Sequence, residues 1–132
     1  MYETVRLPWD LPISIWPKEA LSFVIRRPGV YELPICECIS RPLDPGEVAL
    51  DVGENIGQLA SIMAMRTGPS GEVTACEPQP VLFGELQCNI AVWEESLHVV
   101  PIAAHNLALS DHVGTATLMA RAYFEPAVTW SL

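Results

Sequence analysis

The sequence predicts an α/β fold built on a parallel sheet, and three observations from residue 47 onward favour it. Short apolar runs typical of strands alternate with longer stretches in which apolar residues recur at helical spacing. Turn-forming glycines and prolines separate these segments. The resulting order is strand, helix, strand, helix, strand, which is the order of βαβ units. Right-handed crossovers are expected to place both helices on one face of the sheet.

The first strand and helix are predicted between residues 48 and 67. The run Val48-Ala49-Leu50-Asp51-Val52 suits a strand that is buried on both faces. A helix with one apolar face follows, because apolar residues recur at i, i+3, i+4 and i+7. They are Ile56, Leu59, Ala60 and Met63. Gly68 is placed to end this helix.

The later elements follow the same alternation. Val73-Thr74-Ala75-Cys76 is predicted to be the second strand. Residues 97–102 are a candidate third strand, and residues 115–119 are a candidate fourth. Between the second and third strands, one helical face carries four apolar residues: Phe83, Leu86, Ile90 and Trp93.

Residues 1–46 are predicted to be an irregular leader that packs on a core of residues 47–132. Seven of the chain's 12 prolines precede residue 46, and this spacing excludes long helices. The best helical window is Lys18 to Arg27. Tyr2 to Leu7 and Ile13 to Trp16 alternate loosely enough to pair as strands.

The composition of the chain excludes or disfavours several classes of function. With 16 acidic residues against 7 basic ones, the formal charge is −9, which disfavours binding to nucleic acid. No apolar run reaches the roughly 18 residues of a membrane span, and the N-terminus does not resemble a signal peptide. The spacing of the four cysteines does not match a metal site, so we expect free thiols in a reducing cytoplasm and no metal.

The turn after the first strand contains the residues that are expected to bind a ligand. Ligands of such sheets bind beyond the carboxyl ends of the strands. Here the spacing is D-x-G-x-x-x-G, with Asp51, Gly53 and Gly57, and it lacks one glycine of the dinucleotide pattern. Asp51 and Glu54 would repel a pyrophosphate but suit a cation. S-adenosylmethionine carries both an ammonium and a sulfonium group.

Further candidates follow the next two strands. Glu77 ends the second strand, where a carboxylate can accept hydrogen bonds from two ribose hydroxyls. Ser110 and Asp111 follow the third strand, where an adenine could lie. Within the first turn, Asp51 is expected to orient the amino group of the cofactor, and Asn55 to cap the helix.

Together these motifs resemble the FkbM-type methyltransferases. The resemblance covers roughly residues 29–119 and includes Gly29-Val30-Tyr31-Glu32, Pro45-Gly46, residues 50–57, residues 76–80, Asn89, and residues 108–111 with Gly114. It implies a class I, Rossmann-like fold that binds S-adenosylmethionine and transfers a methyl group to a hydroxyl on a sugar or other small molecule. The implied cofactor-binding residues are Asp51, Gly53, Asn55, Gly57, Glu77, Ser110 and Asp111, and no catalytic base is assigned.

The sequence departs from that family in two ways. Glu54 stands where the family usually has a small residue such as alanine. The family also continues through a fourth parallel strand with a lysine–aspartate–glutamate–glycine motif, which the chain lacks. We therefore expect the cofactor-binding half of an enzyme, incomplete at its C-terminus and inactive by itself. We also expect an open edge on the first strand that permits self-association.

Two other functions stay open on the sequence. The chain could be a non-catalytic remnant or an interaction module, with weak cofactor binding or none. It could also be a nicotinamide-dependent oxidoreductase, which the missing glycine and the acidic turn disfavour.

Overall fold

The computed structural model describes residues 2–17, 20–95, 101–118 and 128–131 as a mixed α/β fold. The elements, in chain order, are β1 (Glu3–Arg6), β2 (Pro12–Ile15), α1 (Ala20–Ile25), α2 (Leu33–Ser40), β3 (Val48–Val52), α3 (Gln58–Thr67), β4 (Glu72–Cys76), α4 (Pro80–Glu94), β5 (Ile102–His105), β6 (Thr115–Leu118) and β7 (Val128–Ser131). No helix among these residues is long and apolar enough to cross a membrane.

The central sheet has the order β3-β4-β5, and all of its strands are parallel. The register pairs Val52 with Cys76 and Cys76 with His105, so the carboxyl ends of the three strands lie side by side. The parallel pairing of the first two predicted strands is therefore confirmed. This arrangement is compatible with a Rossmann-like fold.

Among the described residues, the third strand overlaps the predicted range only at Ile102. The strand runs from Ile102 to His105, whereas residues 97–102 were expected. Pro101 immediately precedes it, and proline has no N–H to donate to a ladder, so pairing with β4 begins only at Ile102. Residues 96–100 lie outside the described residues.

The fourth predicted strand exists but lies outside the parallel sheet. β6 pairs antiparallel with β7, from Thr115 opposite Ser131 to Leu118 opposite Val128. Strand β7 was not anticipated. Pairing between residues so far apart in the chain is set by contacts that local alternation does not reveal.

Both long helices pack on one face of the parallel sheet, as right-handed crossovers require. Ala49, Val73 and Ile102 on that face share a core with residues of both helices: Ala60, Met63, Ala64, Leu86, Ile90 and Trp93. The other face of β3 is open. Val48, Leu50 and Val52 are 71%, 53% and 54% exposed, so the expectation of a strand buried on both faces was wrong.

Helix α3 is buried on two sides, and the expectation of a single apolar face was incomplete. Its inner side faces the sheet, while Ile62 on its outer side packs with Val30 and Cys36. Cys36 belongs to α2, a helix that the sequence analysis missed. A proline in the first turn is compatible with a helix, because the amides there have no partner in the helix in any case.

The leader contributes to the same core. β1 and β2 form the expected antiparallel pair, and Ile13 and Ile15 of β2 are completely buried. The side chain of Asn89 on α4 accepts a hydrogen bond from the Ser14 amide at 2.7 Å. It also donates a hydrogen bond to the Ser14 carbonyl at 3.2 Å. Helix α1 lies within the predicted window, whose residues 18 and 19 are outside the described part. The division at residue 46 stays a prediction.

Candidate functional site

The candidate site is the turn of residues 53–57, beyond the carboxyl end of β3. Three of its residues have left-handed backbones: Gly53 (φ 84°), Asn55 (φ 65°) and Gly57 (φ 107°). The amides of Gly53 and Glu54 both donate to the Cys76 carbonyl, at 2.8 and 3.2 Å. The turn is thereby fixed against the end of the neighbouring strand.

The two glycines serve different purposes. At Gly57 a Cβ would lie 2.7 Å from Cη2 of Trp93 and 2.9 Å from Cδ1 of Leu86, so this glycine is required for packing against α4. At Gly53 a Cβ would meet no atom within 4 Å, so the positive φ is the constraint and the space beside the backbone is free.

Glu77 joins the turn to β4. It is buried, its Oε2 accepts from the Asn55 amide at 2.9 Å, and its Oε1 accepts from the Gln79 amide at 2.7 Å. Burial raises the pKa of this carboxyl, and the two amide hydrogen bonds oppose that rise. Glu77 thus positions the turn and the start of α4, and its remaining lone pairs can accept further hydrogen bonds.

Glu54 caps helix α3 from within the turn. Its Oε1 accepts from the amide of Ala60 at 3.0 Å, and the side chain is only 4% exposed. The residue at the N-cap position is Gly57, which has no side chain to offer. The expectation that Asn55 caps this helix was wrong. Asn55, whose backbone is left-handed, lies two residues before the N-cap position, which Gly57 occupies.

The carboxyl groups of Glu54 and Asp51 interact directly. Burial, a hydrogen bond with Asp51 and the negative charge of Asp51 raise the pKa of Glu54 well above its usual 4.5. Asp51 Oδ2 and Glu54 Oε2 are both buried and have no donor from any other residue. Two ionised carboxylates repel one another, so protonation of Glu54 relieves both the cost of its burial and its repulsion by Asp51.

The leader lies over the turn. Gln58 at the start of α3 accepts from the Tyr31 amide and donates to the Tyr31 carbonyl, both at 2.7 Å. The next residue, Glu32, has a left-handed backbone (φ 51°), and its side chain accepts from the Tyr31 hydroxyl, which raises the pKa of that hydroxyl. Between loop and turn is a cavity of about 160 Å³, lined by Leu21, Tyr31, Glu32, Gly53, Glu54, Asn55, Gln58 and Leu59.

Ser110 and Asp111 are exposed, and their polar contacts are local. The carboxylate of Asp111 contacts the His112 ring at 2.7 Å and accepts from the Ser110 hydroxyl at 3.2 Å, and these contacts lower the pKa of Asp111. The structure thus brings Asp51, Asn55 and Glu77 together around the glycine turn. It does not link Ser110 or Asp111 to them by a hydrogen bond among the described residues.

Comparison with known proteins decides the family. The family model described as "Methyltransferase FkbM domain" matches residues 51–128, which is more than half of the chain. The chain belongs to the FkbM methyltransferase domain family. No curated protein and no solved structure matches it.

Sequence reasoning missed two positioning residues of this FkbM domain. Gln58 holds the leader loop, and Asn106 donates to the carbonyls of Glu77 and Pro78, at 2.8 and 3.0 Å, which fixes the segment after β5 to the end of β4. Gln58 lies near the start of the predicted helix, and this position is the sequence signal that could have found it. Asn106 follows the observed end of β5, four residues beyond the predicted end of that strand, so no sequence signal indicated it. No group of three His, Cys, Asp or Glu residues among the described residues could hold a metal ion.

Proposed function

We propose that the chain has a class I, Rossmann-like methyltransferase fold, binds S-adenosylmethionine and serves methyl transfer to a hydroxyl group on a sugar or other small molecule. One observation carries the proposal. Asp51 lies at the end of β3 and Glu77 directly follows the adjacent parallel strand β4, next to a turn that has free space at Gly53. The match to the methyltransferase FkbM domain supports it.

The residues present fit this cofactor. Buried oxygens of Asp51, Glu54 and Asn55 have no donor, and an ammonium group has three donors and no acceptor. In the proposal Asp51 orients the ammonium, Glu77 accepts from the ribose hydroxyls, and Ser110 and Asp111 lie near adenine. When bound, the cofactor supplies a methyl group already activated by its sulfonium. The chain's own part is then mainly binding and orientation.

Nicotinamide cofactors fit less well. A pyrophosphate would meet Asp51, Glu54 and Glu77 at the turn, and the lining of the adjoining cavity includes no Lys or Arg.

The free state of all four cysteines supports a place in the cytoplasm as part of the same proposal.

Titration calorimetry with S-adenosylhomocysteine and with NAD tests the cofactor assignment. We expect binding of the first and not of the second. Binding of NAD instead would contradict the proposal and favour a nicotinamide-dependent oxidoreductase. A transfer assay with a labelled methyl group and a panel of sugar and small-molecule alcohols then tests the acceptor class.

A second candidate is a module that binds the cofactor but acts through association with another chain. The observation that favours it is the open face of β3, where three apolar side chains are at least half exposed. Cofactor binding together with self-association and no methyl transfer to any acceptor would favour this candidate.

A further inference from the structure

We propose that Glu54 is a second acceptor for the ligand's ammonium group, and that ligand binding displaces a proton from the buried carboxyl group of Glu54. This inference rests on the proposed function. It concerns Glu54, to which the proposed function assigns no role.

The two oxygens of Glu54 have separate tasks. Oε1 is used by the amide of Ala60 at 3.0 Å, which anchors the side chain to the first turn of α3. Oε2 is buried and has no hydrogen-bond partner among the described residues. The side chain is 4% exposed and lines the cavity beside Gly53, so its free oxygen belongs to a pre-formed acceptor site.

The other charged groups around this cavity are acidic. Asp51 faces Glu54 from the end of β3, Glu77 reaches the turn through the Asn55 amide, and Glu32 lines the cavity from the leader loop. The hydroxyl of Tyr31 also lines it and is held by Glu32. The lining of the cavity itself thus contains the carboxyl groups of Glu32 and Glu54 and no Lys or Arg, which favours a cation.

The proton that leaves the site on ligand binding is released to the solvent. Without ligand, the buried carboxyl group of Glu54 holds a proton. An ammonium group brings a positive charge and its own donors, so Glu54 can be ionised beside it and its proton leaves to the solvent. Ligand affinity should therefore rise with pH, by up to about tenfold per pH unit, in the range where the free site holds the proton and the occupied site does not.

The experiment compares two ligands and two proteins. S-adenosylhomocysteine has the ammonium group, whereas 5′-methylthioadenosine has the nucleoside and the sulfur but no amino acid part. Titration calorimetry of the full chain in buffers of different ionisation enthalpy, between about pH 5.5 and 7, gives the number of protons released. The variant is Glu54→Gln, whose amide oxygen can keep the hydrogen bond from Ala60 while its amide donates to Asp51.

We expect the unaltered chain to release protons on binding S-adenosylhomocysteine and none on binding 5′-methylthioadenosine. Glu54→Gln should bind S-adenosylhomocysteine about tenfold or more weakly, release no proton and bind 5′-methylthioadenosine as before. Binding of both ligands without proton release, or an unchanged affinity of Glu54→Gln for S-adenosylhomocysteine, would overturn the inference and leave the proposed function standing. If neither ligand binds to the folded chain, the proposed function fails and the inference fails with it.

Discussion

The side-chain amide of Asn89 donates a hydrogen bond of 2.8 Å to the backbone carbonyl of Ile56. The same side chain holds both backbone polar groups of Ser14 in β2. One buried amide on α4 therefore joins the leader, the long helix and the glycine turn.

Replacing Asn89 with alanine should destabilise the whole chain. The change removes three hydrogen bonds and leaves buried backbone groups of Ser14 and Ile56 without partners, a loss of about 2–4 kcal/mol. Urea unfolding measures it. Gln87→Ala, at an exposed position on the same helix, is the control and should change stability by less than about 0.5 kcal/mol. Similar losses in both variants would contradict the role of Asn89.

Two glycine substitutions should have opposite effects. Gly57→Ala brings a Cβ to within 2.7 Å of Trp93 at a residue with φ 107°, and should cost about 2–4 kcal/mol. Gly84→Ala lies inside helix α4 with no atom within 4 Å of the new Cβ, and should add about 0.5–1 kcal/mol. Thermal and urea unfolding of the pair provide the measurement, and a stable Gly57→Ala protein would show that the contact with Trp93 can relax.

The unfolding free energy should depend on pH through Glu54. Its pKa in the folded chain is well above the usual 4.5, so the folded state keeps a proton that the unfolded state has released. The contribution of Glu54 to the free energy of unfolding is therefore present at low pH. It decreases as the pH rises from 4.5 towards the pKa that Glu54 has in the folded chain.

The variant Glu54→Gln does not titrate, so it isolates this effect. Its stability relative to the unaltered chain should increase as pH rises above 4.5. The pKa of Glu77 is raised as well, but that residue is present in both proteins and its effect cancels in the difference. Urea unfolding at a series of pH values measures the difference, and parallel profiles would show that Glu54 ionises normally.

Glu77 should be needed both for binding and for the shape of the turn. Glu77→Ala should weaken binding of S-adenosylhomocysteine by about 1.5–3 kcal/mol, the range for hydrogen bonds to charged groups. Because Glu77 also accepts from the amides of Asn55 and Gln79, the variant's unfolding must be measured beside its affinity. Unchanged affinity in a folded variant would remove Glu77 from the ribose role.

We propose that the open edge and face of β3 cause self-association. Leu50→Lys places a charge on the face where Leu50 is 53% exposed, and should shift the chain towards monomer in light scattering at increasing concentration. Val113→Lys makes the same chemical change at a 95% exposed turn residue and should leave association unaltered. A monomer at all concentrations would contradict the proposal.

The sequence by itself determined the elements whose signal is local. The apolar run of β3, the helical stripes of α3 and α4, and the turn between Asp51 and Gly57 were each predicted close to their observed places. They could be predicted because strand and helix periods, and the conformational freedom of glycine, are properties of neighbouring residues. The position of Glu77 after β4 followed from the same alternation.

Tertiary structure decided what depends on residues distant in the chain. It set which face of β3 is buried, the pairing of β6 with β7, and the cover of α2 over α3. It also turned Glu54 inward, so that the residue caps a helix and its burial beside Asp51 raises its pKa. A carboxyl group titrates according to its burial and its neighbours, and these exist only once the chain has folded.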